Sequence, residues 1–160
     1  MRKHAFPVVG ICLTIFASAC TIDIMPSSME VNEIVQARPK SHIGQAEKPG
    51  SLWRKIEISI PKSSVLSLRN LESTYLVRIN NCADEILSIE ELYANDLSLA
   101  QLSSMNEESF NLFYMNLRDP VVGYIYLKET TYANEARICA LFDGGGMTGA
   151  RIKSRKFRIK

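Results

Sequence analysis

Residues 53–60, WRKIEISI, indicate the fold class because isoleucines at every second position are separated by polar residues. A period of two is typical of a β-strand with one buried face. Residues 73–80, STYLVRIN, repeat the pattern with Tyr75, Val77 and Ile79 on the apolar side. The two segments together predict a mostly β protein.

Denser apolar segments follow toward the C-terminus. Residues 110–117 and 121–128 carry aromatic and branched side chains on both faces, which predicts strands near the middle of a sheet. Residues 137–142 are predicted to form a strand that turns at the three glycines 144–146 and pairs with 150–159 as a hairpin.

The first twenty residues have the pattern of an export signal. Arg2 and Lys3 give a positive start, and the uncharged apolar run 5–17 is too short to span a bilayer. Small residues at 17–19 then precede Cys20. Their order, Ala-Ser-Ala, also fits the cleavage site of an ordinary secretory signal.

The stretch resembles the lipobox of bacterial lipoproteins, although the family prefers leucine where Ala17 stands. The resemblance implies a signal peptide over 1–19 and acyl chains, palmitate among them, on Cys20. Thr21 follows the cysteine, which in the lipoproteins of enteric bacteria implies sorting to the outer membrane, facing the periplasm. Two or more acyl chains give a durable membrane anchor.

The charge of the processed chain argues against a nucleic-acid partner. Loss of Arg2 and Lys3 from 19 basic residues leaves 17, which equals the number of acidic residues. The distribution is uneven, because six of these 17 basic residues lie in the last ten and the part before them has 11 basic against 17 acidic residues.

Two cysteines remain after Cys12 leaves with the signal and Cys20 receives lipid. Cys82 and Cys139 are predicted to form one disulfide, as expected in an oxidising periplasm. A metal site or a catalytic thiol is the alternative. Neither cysteine lies in a C-x-x-C motif, and His42 is the one histidine that survives processing, so both alternatives lack partners.

The segment 20–50 is predicted to be a lipidated N-terminus and flexible tether, because it has three prolines, many polar residues and no sustained apolar period. Apolar residues within 25–35 could instead form a short helix or a partner-binding segment. The folded domain is then predicted to occupy 51–160, enough for one core.

Residues 83–105 fit more than one structure, and one or two short helices are predicted there. The acidic residues Glu90 and Glu91 within this stretch are interpreted as part of a solvated helix face. Several short strands, this helical insertion and one long-range disulfide predict an immunoglobulin-like β-sandwich.

The basic C-terminus is the candidate partner-binding surface. Alternation with Ile152 and Ser154 predicts a charged row on one face of a strand, followed by a bulge near 155–156. The row could meet an acidic protein, anionic lipid or a polyanionic glycan; alternatively, it protects an edge strand from aggregation. The candidate residues are Arg151, Lys153, Arg155, Lys156 and Arg158.

No residues assemble a convincing catalytic site, since His42 lies in the predicted tether and leaves a nucleophile without a base. We therefore expect a protein that is not an enzyme and that needs no cofactor or metal.

The leader, the size, the cysteine pair and residues 137–142 and 149–154 resemble small periplasmic lipoproteins associated with type VI secretion immunity. The resemblance implies a non-catalytic protein that binds and neutralises a periplasm-acting toxin. Two alternatives remain open: a structural lipoprotein subunit of an envelope secretion complex, and a surface glycan-binding or adhesion module.

Overall fold

Two β-sheets and four short helices form the structure, a computed structural model that describes residues 21–24, 27–41, 49–70, 73–146 and 151–160. The helices are α1 (Lys62–Asn70), a 3-10 helix (Leu99–Ser104), α2 (Glu107–Met115) and α3 (Glu129–Asn134). The strands are β1 (Thr21–Ile24), β2 (Ser27–Val35), β3 (Trp53–Ile60), β4 (Ser73–Asn80), β5 (Ile86–Glu90), β6 (Tyr93–Ala94), β7 (Leu97–Ser98), β8 (Val121–Lys128), β9 (Cys139–Gly146), β10 (Arg151–Ser154) and β11 (Phe157–Arg158).

The strand order is that of an immunoglobulin-like sandwich. One sheet has the order β1-β10-β9-β4-β5, with β11 also on β9, and the other has the order β2-β3-β8-β6-β7. Strands C′, C, F and G of that fold correspond to β5, β4, β9 and β10 in the first sheet. Strands A, B, E and D correspond to β2, β3, β8 and β6 in the second. All pairings are antiparallel except that of β1 with β10. The predicted β-sandwich is therefore confirmed.

The core lies between the two sheets, where apolar side chains of four central strands meet. The period of two in β3 produces this arrangement, because it buries alternate residues on one face of the strand. α1 closes one end of the core with Val65 and Leu68. The central side chains are Ile56, Ile58 and Ile60 of β3, Val77 and Ile79 of β4, Ile125 and Leu127 of β8, and Ala140 and Phe142 of β9.

The predicted disulfide is confirmed. The sulfurs of Cys82 and Cys139 are bonded, with Cα atoms 5.0 Å apart. Cys82 follows β4 and Cys139 begins β9, and these two strands are neighbours in one sheet. The bond therefore links neighbouring strands of one sheet, whereas the disulfide of antibody domains joins the two sheets.

The tether prediction is wrong for the described part of 20–50. β1 pairs with β10 in one sheet, and β2 pairs with β3 in the other, so the sandwich begins well before residue 51. The pairing of β2 shifts between Glu30 and Glu33, and such an irregularity breaks the alternation that would have identified the strand. Cys20, His42 and the predicted signal peptide over 1–19 lie outside the described residues.

Two secondary-structure predictions are corrected. Residues 107–115 form α2 rather than a strand, because the Asn106 side chain caps the helix by accepting a hydrogen bond from the Ser109 backbone N–H at 2.8 Å. Within 83–105, the prediction of one or two short helices is met by the 3-10 helix over 99–104, but β5 to β7 precede it. Glu90 and Glu91 are consequently buried rather than solvated.

The C-terminal segment confirms the predicted pairing and the predicted irregularity. β10 and β11 both pair with β9, and the register moves by one residue between Lys153–Asp143 and Phe157–Ala140. β10 lies between β1 and β9. The alternative of a charged edge strand is therefore wrong for β10, whereas β11 pairs with β9 alone among the described strands.

Candidate functional site

The basic C-terminal residues do not form one continuous row, because the one-residue shift separates β10 from β11. Lys156 Nζ donates to Asp84 Oδ1 at 2.5 Å and to the Cys82 carbonyl at 3.3 Å, which ties the terminus to the turn that carries the disulfide. Arg158 Nε donates to the Lys160 carbonyl at 2.6 Å.

The remaining members of this candidate set lie in or beside β10. Arg155 is exposed at the register shift. The side chains of Arg151 and Lys153 lie outside the described part of the structure, although their backbones pair with Gly145 and Asp143. Partner binding by the five basic residues stays a prediction, and Lys156 already has a structural role.

An exposed apolar surface lies on α2. Leu112 is 62% exposed and Met115 is 71% exposed, the two highest values among the large hydrophobic residues that the structure describes. Glu107, Glu108 and Asn111 line the same groove, which has a volume of about 560 Å³. We call these five residues the α2 face. Two neighbouring exposed apolar side chains with charged residues at their border make this helix face a candidate protein-binding surface.

The opposite side of α2 fixes the helix on the sandwich. Phe110 is buried and stacks on Tyr114 with ring centroids 5.7 Å apart. Lys62 Nζ lies 4.6 Å from the Tyr114 ring centroid and donates to the Leu117 carbonyl at 2.7 Å. These contacts attach α2 to the sandwich through Phe110 and the C-terminal turn, so the exposed side chains of the α2 face lie on the opposite side of the helix.

A second candidate site is a buried polar cluster, which we call the Arg38 site. It consists of Arg38, Trp53, Glu90, Glu91 and Tyr93. The Arg38 side chain is 4% exposed, with its guanidinium carbon 4.1 Å from the Trp53 ring centroid and Nη1 3.2 Å from Glu90 Oε2. The cluster joins the two sheets, because Glu90 ends β5 and Trp53 and Tyr93 belong to β3 and β6.

The connection that follows β2 covers this site. Ser41 Oγ lies 3.1 Å from Glu91 Oε1. The Tyr93 hydroxyl donates a long hydrogen bond of 3.5 Å to the Lys40 carbonyl. Arg38, Lys40 and Ser41 therefore lie against walls that the strands provide.

Burial governs the electrostatics of the Arg38 site. Loss of solvation raises the pKa of Glu90 to about 7, while the neighbouring Arg38 acts in the opposite direction. Loss of solvation, together with the charge of Glu91, also raises the pKa of Tyr93. A carboxyl group that titrates near neutral pH in a buried cluster marks a candidate functional site.

Neither surface was found from the sequence. Arg38 lies in the predicted tether, 52 residues from Glu90, and no local pattern joins such distant residues. The α2 face was hidden by the strand assigned to 110–117. The sequence Asn106-Glu-Glu-Ser, a cap followed by acids in the first turn, was the available signal.

Comparison of the chain with protein-family models finds no match, and comparisons with the curated proteins and with solved structures also find none. Among the described residues, no helix has both the length and the apolar character needed to cross a membrane.

Proposed function

We propose that this chain is a lipid-anchored, non-catalytic protein-binding module of the bacterial cell envelope, and that it acts as an immunity protein against a periplasm-acting toxin. The observation that carries the proposal is the α2 face, where Leu112 and Met115 are exposed beside two glutamates. The lipobox-like sequence before Cys20 supports a place at the outer membrane.

Burial of the α2 face would favour a complex. Complete burial of a leucine or methionine side chain contributes about 1.5–3 kcal/mol, and both side chains are mostly exposed here. The two residues are one helical turn apart and form one compact apolar anchor.

The charge beside this anchor indicates the partner's chemistry. Glu107 and Glu108 lie at the N-terminal end of the same groove. An enzyme that attacks anionic envelope polymers needs a basic cleft to attract its substrate. A helix face with acidic and exposed apolar side chains complements the charge of such a cleft and would block access to it without any turnover.

The proposal is tested by competition between the source bacterium and a derivative that lacks this chain. Without the chain, the derivative should be killed by its toxin-producing siblings, and the wild-type chain should restore survival. Leu112→Asp with Met115→Asp should fail to restore it, because two charges then occupy the anchor.

Leu66→Asp is the matched control, since Leu66 is an exposed leucine on another helix, α1. This control should restore survival as well as the wild type does. If loss of the chain leaves survival unchanged and instead reduces the ability to kill other cells, the chain is a subunit of the secretion machinery and the proposal is wrong.

A further inference from the structure

We propose that Trp53, Glu90, Glu91 and Tyr93 form a binding site for a guanidinium group. Arg38 fills this site from within the chain, and an arginine side chain of a partner protein takes its place when residues 38–41 move away from the site. The site is separate from the α2 face and goes beyond the function proposed above.

The chemistry of the site suits guanidinium in particular. Its planar group can stack on an indole face and donate in its own plane to a carboxylate, which an ammonium cannot do equally well. Arg38 makes both contacts, at 4.1 Å from the Trp53 ring centroid and 3.2 Å from Glu90 Oε2. The occupied site therefore shows how an external arginine would be held.

The walls of the site do not depend on its occupant. Trp53 belongs to β3, which pairs with β8 along all eight of its residues. Tyr93 belongs to β6, pairs with Tyr124 of β8, and lies edge-on to Tyr126 with ring centroids 5.8 Å apart. Arg38, in contrast, comes from an irregular connection. Exchange of the occupant would therefore leave the sheets intact.

The indole nitrogen of the site has no acceptor within the described part of the chain. Trp53 Nε1 is buried and has no hydrogen-bond acceptor among the residues that the structure describes. A buried donor without an acceptor costs about 1–3 kcal/mol. A partner segment that brings a backbone carbonyl next to its arginine would satisfy this donor, so a peptide should bind more tightly than free guanidinium.

The charge of the walls favours a cation. Glu90 and Glu91 are both almost completely buried, at the point where β5 ends and the chain continues to β6. Because burial holds the pKa of Glu90 near 7, the site should bind a cation more weakly as the pH falls below this value. Binding is therefore best measured at about pH 8.5, where Glu90 is ionised.

The test uses the purified mature chain in detergent, with ethylguanidine as the probe. Trp53 is the only tryptophan, so its emission reports on the site directly. In Arg38→Ala, ethylguanidine should cause a saturable change in emission at millimolar concentrations and raise the melting temperature. The wild type should respond only at concentrations at least tenfold higher, because Arg38 competes from within the chain.

Arg78→Ala is the matched control, because Arg78 pairs with Asp143 and lies on the opposite face of the sheet from Val77 and its cross-strand neighbour Glu90. It should respond as the wild type does. Glu90→Gln added to Arg38→Ala should abolish saturation, and Arg38→Met provides a second vacated guanidinium site if the alanine variant does not fold, because methionine keeps the chain length without a charge. The short peptide acetyl-Gly-Arg-Gly-amide should bind Arg38→Ala more tightly than ethylguanidine, and its lysine counterpart more weakly than the arginine peptide.

An unsaturable response in both Arg38 variants would overturn the proposed site. If the emission of Trp53 changes with ethylguanidine in the variants but never in the wild type, the proposal that a partner's arginine displaces Arg38 is wrong. Both readouts use purified protein and do not involve the toxin, so they are independent of the immunity proposal.

Discussion

Substitution of Gly123 by alanine should destabilise the sandwich at the junction of β8 and β6. An ideal Cβ at this position would lie 2.8 Å from Leu92 Cδ1 and 2.9 Å from the Tyr93 carbonyl oxygen. The leucine side chain can adjust, but the Tyr93 oxygen belongs to the backbone of a paired strand. Overpacking of this kind typically costs about 1–3 kcal/mol, and the backbone contact places Gly123→Ala near 2 kcal/mol.

The assay is urea denaturation at constant pH, followed by far-UV circular dichroism. Gly50→Ala is the control, since nothing lies within 4 Å of its added Cβ and its φ of 80° imposes backbone strain alone. That strain should cost about 1 kcal/mol. Because β6 carries Tyr93, Gly123→Ala should also shift the emission of Trp53. If Gly123→Ala is no less stable than Gly50→Ala, the close approach of β8 to Tyr93 is wrong.

Three further outcomes are expected. Cys82→Ala opens a covalent loop with a sequence separation of 57 residues, which should cost about 4 kcal/mol and lower the melting temperature by about 10 °C; an unchanged melting temperature would contradict the disulfide. The pKa of Glu90 is raised to about 7 from 4.5, so its contribution to stability is present below pH 4.5 and is lost as the pH rises through 7. The free energy of unfolding, measured in urea, should increase by about 2 kcal/mol from pH 8 to pH 5 in the wild type and should not do so in Glu90→Gln. The same pH dependence in both proteins would refute this. Cys20→Ser should release the mature chain from membranes in fractionated cells, and retention would contradict a lipid anchor.

The sequence predicts strand bounds best where one pattern of apolar residues extends over a whole strand. The bounds of β3, β4 and β8 follow from such patterns, and the disulfide follows from the elimination of Cys12 and Cys20. The strand prediction at α2 is wrong because Phe110, Phe113 and Tyr114 raise the β-propensity of the segment. The buried residues Phe110 and Leu117 are seven positions apart, which is a helical spacing.

The Arg38 site could not be derived from local patterns. Its members come from two sheets and one irregular connection, and they meet only after β5 crosses to β6. The raised pKa of Glu90 is likewise a consequence of tertiary burial rather than of its neighbours in sequence.

The most direct test of the account is affinity capture of secreted material from the source bacterium, with three baits compared quantitatively by mass spectrometry. The wild-type chain and Leu66→Asp should capture the same basic protein in a one-to-one complex, whereas the variant with Leu112→Asp and Met115→Asp should not. That protein, directed alone to the periplasm, should stop growth, and coexpression of this chain should restore it. Equal capture by all three baits, or a captured protein without toxicity, would contradict an immunity function carried by the α2 face.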